Sequence, residues 1–112
     1  MDILIHTDGV QLTEALREVV EDKIGHVEQY TPRALRARVR LRKSSAHASQ
    51  GQFVVRVLIE QPGRDVSAEQ IGPDPRVALD FVAEKIIRQL RKQKTVRLDR
   101  RVRRTDRARE KS

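Results

Sequence analysis

Four cations, Lys85, Arg88, Arg91 and Lys92, gather on one arc of what reads as a helix from Ala78 to Lys94, while Ala78, Leu79, Val82, Ala83, Ile86, Ile87 and Leu90 take the other. At ~100° per residue the apolar set fills about half of the circumference. One side packs and the other attracts anions. Arginine offers a planar fork suited to bidentate contact and lysine a point charge, so the chemistry on offer is a grip on phosphates, a nucleic-acid clamp. Lys23 extends the argument. It lies within the apolar arc of an earlier helix, between Val19 and Val27, where a lysine has to carry its ammonium past the core. A stem packed on apolar surface with its charge in water is the plainer account of the same position.

Residue types for bond-making chemistry are sparse. The three histidines, His6, His26 and His47, fall on a strand end, a helix and a loop, with no spacing that predicts convergence. An RNA-cleaving pair drawn from them is the enzyme reading to be tested against binding. There is no metal pattern, no P-loop and no cysteine. The expectation is therefore a binding protein with no catalytic residue, no metal, no cofactor and no small-molecule substrate. The only aromatic residues are Tyr30, Phe53 and Phe81. Tyr30 and Phe53 read as core, and Phe81 falls on the cationic arc, placed either to stack on one base or to pack on a neighbour. Paired stacking platforms for single-stranded bases are missing, so backbone and shape should dominate recognition.

The 112 residues fit one domain. The formal charge is +8, and residues 95–112 hold eight Lys/Arg against three Asp/Glu, which leaves +5 there and +3 in the body. The tail has too little apolar surface to offset its ordering entropy, so the expected division is a body over 1–94 and a basic, disordered or frayed-helical tail over 95–112. The tail either grips phosphate or merely solvates the end of the chain. No run approaches the ~18 apolar residues of a membrane span and MDILIHTDGV does not read as a signal peptide. With cysteine absent, a cytoplasmic protein without a membrane partner is expected.

The elements follow from periodicity. Ile3 to His6 is a short strand closed by Asp8-Gly9. Thr13 caps a helix over about 13–30, in which Leu12, Leu16, Val19, Val20, Ile24 and Val27 recur at helical spacing and Pro32 forces an end. Arg36 to Arg42 alternates strictly, KSSAHASQGQ is a loop, and Phe53 to Glu60 is a β-branched strand. Pro62-Gly63 turns the chain into a strand over Arg64 to Glu69, and Asp74-Pro75 opens the last helix. The order β-α-β-β-β-α predicts an α+β two-layer sandwich, a four-stranded sheet with both helices on one face. The uncovered face would then carry a second basic surface from Arg36, Arg38, Arg40 and Arg42. Cross-strand acids such as Glu60, Asp65 or Glu69 are placed to neutralise part of it.

Taken in order, LTEALREVVEDKIGHVEQY, VSAE and DPRVALDFVAEKIIRQLRKQK resemble the bacterial ribosome hibernation-promoting factor family, also called ribosome-associated inhibitor or protein Y, over almost the whole body. The resemblance implies a cytoplasmic factor of stress or stationary phase whose partner is the small ribosomal subunit and its rRNA. It would occupy the cleft where messenger and transfer RNA lie and inhibit translation. The family's basic groove between the helices maps here onto Lys23, Lys85, Arg88, Lys92 and Lys94, with Arg91 beside them. Arg76 departs from the pattern, standing where the family often has an aromatic residue. The chain resembles the family's short form, without the added dimerisation domain. The competing reading is a general double-stranded RNA-binding module, which also covers a small sheet with two helices; the first strand, Ile3 to His6, favours the ribosome factor. A third is an adaptor whose basic tail binds an acidic protein.

Overall fold

Strict alternation between Arg36 and Arg42 becomes a strand with one dry side. Ala37, Val39 and Leu41 are buried, and the arginines between them turn outward. The computed structural model describes residues 1–44 and 52–110, with side chains through Thr95. The elements are β1 (Asp2–Asp8), α1 (Glu14–Glu28), β2 (Arg36–Lys43), β3 (Phe53–Glu60), β4 (Val66–Gly72) and α2 (Pro75–Glu110), so the expected α+β order holds. The sheet runs β1-β2-β3-β4. Its one parallel pair, β1 with β2, is the pair that needs a long crossover, and α1 supplies it. The remaining pairs are antiparallel.

Both helices cover the same face. Leu16, Val20, Ile24 and Val27 of α1 and Leu79, Val82, Ile86 and Leu90 of α2 join Val39, Leu41, Val55, Val57 and Ile59 in one buried cluster. Thr13 caps α1 as expected, its hydroxyl oxygen accepting the Leu16 N–H at 3.1 Å. The helix stops at Glu28, short of the expected 30, because the Tyr30 and Thr31 N–H groups bond back to Val27 and Glu28 in a turn ahead of Pro32. Asp74 opens α2, its carboxylate accepting the Arg76 N–H at 2.7 Å and its carbonyl the Ala78 N–H at 3.1 Å. Pro75 fits the first helical position because it has no N–H to leave unsatisfied.

The last strand is displaced from its expected span. Asp65 belongs to the turn, its carboxylate accepting the Gln61 N–H at 3.2 Å, and the Arg64 carbonyl accepts from the Gln61 amide at 2.8 Å, so pairing begins only at Val66. Gln61 also accepts from the buried Thr31 hydroxyl at 2.7 Å and donates to Gln93 at 3.0 Å, which ties the end of α1, the β3–β4 turn and α2 together. The expected limit of the body at Lys94 falls inside α2, whose helical backbone continues to Glu110. Side chains beyond Thr95 lie outside the described residues, and so does the segment 45–51 with His47. Among the described residues no helix is long and apolar enough to cross a membrane.

Candidate nucleic-acid interface

Because α2 buries Ala78, Leu79, Val82, Ala83, Ile86 and Leu90, its remaining positions must face water, and Lys85, Arg88, Arg91, Lys92 and Lys94 are all exposed. They divide by the partners they find. On the β4 flank the Lys85 ammonium donates to Gln70 Oε1 at 2.6 Å and to the Glu69 carbonyl at 3.1 Å. Gln89 follows the same flank, donating to the Ser67 carbonyl at 2.9 Å. On the α1 flank Arg91 donates to the Tyr30 hydroxyl at 3.1 Å, with its guanidinium carbon 5.2 Å from the ring centroid. Among the described residues, Arg88, Lys92 and Lys94 make no ion pair and no side-chain hydrogen bond, so their full charge faces solvent.

Lys23 is held differently. The buried stripe of α1 is Leu16, Val20, Ile24 and Val27, which leaves Lys23 on its margin rather than within it. The stem does extend past the core, but the ammonium ends on the Asp80 carboxylate at 2.7 Å. This hydrogen bond first, and then the charges of Asp80, Asp22 and Glu84, hold the Lys23 ammonium above the ordinary lysine range. Glu21 and Asp22 also line the shallow hollow on this side of α1, together with Lys23, Gly25, His26 and Gln29. The seam between the helices is thus closed by Lys23–Asp80 at one end and Tyr30–Arg91 at the other. Lys85, clipped to β4, lies on the far flank of α2. The six cations named from sequence share one helix-built surface but do not converge into one concave seat.

Tyr30 corrects a sequence expectation. Placed in the core by extending helical periodicity past Glu28, it is 36% exposed, because the helix ends first; it meets His26 edge-on at 5.9 Å as well as Arg91. Phe81 is 49% exposed on the outer side of α2.

The open sheet face shows a second division. Glu60 takes Arg38 at 2.6 Å and Arg36 at 3.8 Å, so two of the four expected arginines share one carboxylate, which offsets one of their two charges. Arg40 stands directly opposite Arg56, and Arg56 in turn opposite Glu69. Arg40, Arg42 and Arg56 line a hollow of about 220 Å³ with Val54 and Glu69. Arg56 was not among the residues singled out from sequence. The signal was present in the alternation of β3, where Arg56 takes an outward position between buried Val55 and Val57.

Of the histidines, His26 meets the Tyr30 ring edge-on and His6 lies on the open sheet face beside Arg40. Among the described residues no group of three or more His, Cys, Asp or Glu is placed to hold a metal.

Comparison with known proteins adds a family. The model of the family described as Sigma 54 modulation protein / S30EA ribosomal protein matches residues 3–98. The chain is 34% identical over 87 residues to the ribosome hibernation promotion factor of Deinococcus radiodurans, covering 78% of this chain and 46% of that protein. It is 33% identical over 94 residues to the factor of the same name from Staphylococcus aureus, covering 81% and 47%. The chain therefore spans about half the length of these curated relatives. Among solved structures, a ribosomal subunit interface protein from Coxiella burnetii superposes with a TM-score of 0.75 at 22% identity, covering 85% of this chain and 99% of that one. The N-terminal domain of Thermus thermophilus Protein Y does so with a TM-score of 0.68 at 24% identity, covering 82% and 98%. These two likenesses are of fold.

Proposed function

The chain belongs to the family of Sigma 54 modulation protein / S30EA ribosomal proteins, and we propose that it is a ribosome hibernation factor that seats the outer face of α2 on rRNA of the small subunit, in the cleft used by messenger and transfer RNA, and so blocks translation. One observation carries the reading: Arg88, Lys92 and Lys94 project from a helix whose other side is locked in the core, and among the described residues none of the three is met by a carboxylate. A rigid element with uncompensated cations suits the grooves and backbones of folded RNA. Arg91, steadied by Tyr30, and Lys85 widen the contact surface. Lys23 can join only by exchanging Asp80 for phosphate, so it ranks last. With no paired aromatic platform in the sequence, backbone contacts dominate and affinity falls steeply with salt.

The test is co-sedimentation of the protein with small subunits followed by footprinting of their RNA. Protection in the decoding region, lost on Arg88→Glu/Lys92→Glu, is the expected result. Equal or tighter binding to free duplex RNA would replace this reading with a general duplex-binding one.

A further inference from the structure

Arg40 and Arg56 face each other across the two interior strands, β2 and β3, at the middle of the open sheet face. Like charges directly opposite one another weaken a sheet. Two residues away on the same strand the remedy is in place, since Arg36 and Arg38 share Glu60. At Arg40, Arg42 and Arg56 it is incomplete: Asp8 stands in register with Arg42 and Glu69 with Arg56, yet among the described residues none of the three arginines makes an ion pair or a side-chain hydrogen bond. Arg42 follows Arg40 at i+2, so its side chain leaves the same face ~7 Å along the strand. Arg40, Arg42, Arg56 and the buried Val54 line one hollow, and Glu69 is the one carboxylate that lines it among the described residues.

We propose that this hollow is a phosphate-binding site, on the side of the sheet opposite the helices. Three arginines with planar forks line a hollow of about 220 Å³, and a doubly charged oxyanion there would turn their mutual repulsion into shared attraction. Glu69, in register with Arg56, opposes the anion and sets a threshold that favours the more highly charged phosphates. The phosphate belongs either to a nucleic-acid backbone or to a free phosphorylated molecule, since the recognising chemistry is the same. In the first case the protein grips two RNA segments at once, one on α2 and one on the sheet.

The experiment follows the arginine Nε–Hε resonances of the full chain during titration with inorganic pyrophosphate. Arg40, Arg42 and Arg56 are expected to saturate together, well before Arg88 on α2 responds. Arg56→Gln should abolish saturation at Arg40 without lowering the melting temperature, because it removes a repulsion. Glu69→Gln should lower the half-saturating concentration several-fold, while Glu18→Gln, the same change of charge on α1, should leave it unaltered. Parallel, unsaturated shifts at Arg40 and Arg88, or equal effects of the two Glu→Gln changes, would overturn the proposal. A second arm titrates an RNA hairpin. Weaker hairpin binding by Arg40→Gln/Arg56→Gln assigns the site to nucleic acid, and unchanged hairpin binding with lost pyrophosphate binding assigns it to a free phosphorylated molecule. Neither arm contains ribosomes, so its failure leaves the ribosome reading standing, and failure of ribosome binding leaves this site to be judged alone.

Discussion

The two basic surfaces, the outer side of α2 and the open side of the sheet, look alike in sequence and differ in how much of their charge is free. On α2, Arg88, Lys92 and Lys94 have no carboxylate against them among the described residues, and Asp80 of the same helix binds Lys23 of the neighbouring one. On the sheet, Glu60 engages two of the four arginines of β2 and offsets one of their charges. The reason is geometric. A strand places a residue of the next strand directly opposite each of its own, so one well-registered carboxylate reaches two arginines. The crest of a helix packed on a core has no neighbour from another element, so a cation there keeps its charge. Counting cations overstates the sheet and understates the helix.

This contrast can be broken or sharpened by substitution. The largest effect is expected at Ile86, which is fully buried beneath the cationic side of α2. Ile86→Ala should cost about 2–5 kcal/mol of stability by denaturant unfolding, showing that the rigid platform, not charge alone, presents the clamp. Next, Arg88→Glu/Lys92→Glu should weaken small-subunit binding by on the order of 100-fold, since each charged contact contributes ~1.5–3 kcal/mol, with no loss of melting temperature. Arg36→Glu/Arg38→Glu should weaken it by less than about tenfold, because both side chains are held by Glu60, which offsets one of their two charges. A reversed ranking in a sedimentation titration would move the RNA surface to the sheet.

Smaller still is the salt dependence. Removing Lys92 by Lys92→Ala should reduce the slope of log affinity against log salt by roughly 0.7–0.9, one phosphate contact, whereas Arg38→Ala should leave the slope unchanged. The smallest effect is expected at Lys23. Its ion pair with Asp80 is half-exposed, so Lys23→Met should change stability by less than about 1 kcal/mol. The sign of its pH dependence is fixed by the raised folded-state pKa. The contribution is fully present below the unfolded lysine value of about 10.4 and disappears as pH rises through the higher folded one. Melting curves of the two proteins should therefore run parallel from neutral pH to about pH 9 and converge only in stronger alkali.

Elements whose signals are local were legible in the chain. The bounds of β3, the Thr13 cap and the Asp74-Pro75 start of α2 all follow from residues within a few positions of one another. Periodicity alone does not show where a turn takes residues out of a strand or helix. Alternation extends β4 back to Arg64, but Asp65 is taken by the turn through Gln61; helical spacing places Tyr30 in the core, but α1 ends at Glu28. The tie made by Gln61, Thr31 and Gln93 joins three segments far apart in sequence and left no periodic trace.

By itself the sequence determined which residues are apolar at which period, and hence that two helices and four strands form one layered body with cations left over on both outer sides. That follows because burial of a repeating stripe is the dominant local demand on an amphipathic segment. Only the tertiary structure decided which cations are free. Register put Glu60 against Arg36 and Arg38 and Arg56 against Arg40, and helix packing put Asp80 against Lys23. A charge is available to a ligand only when no partner lies within a few ångströms, and that distance is a property of the packed chain, not of its spacing.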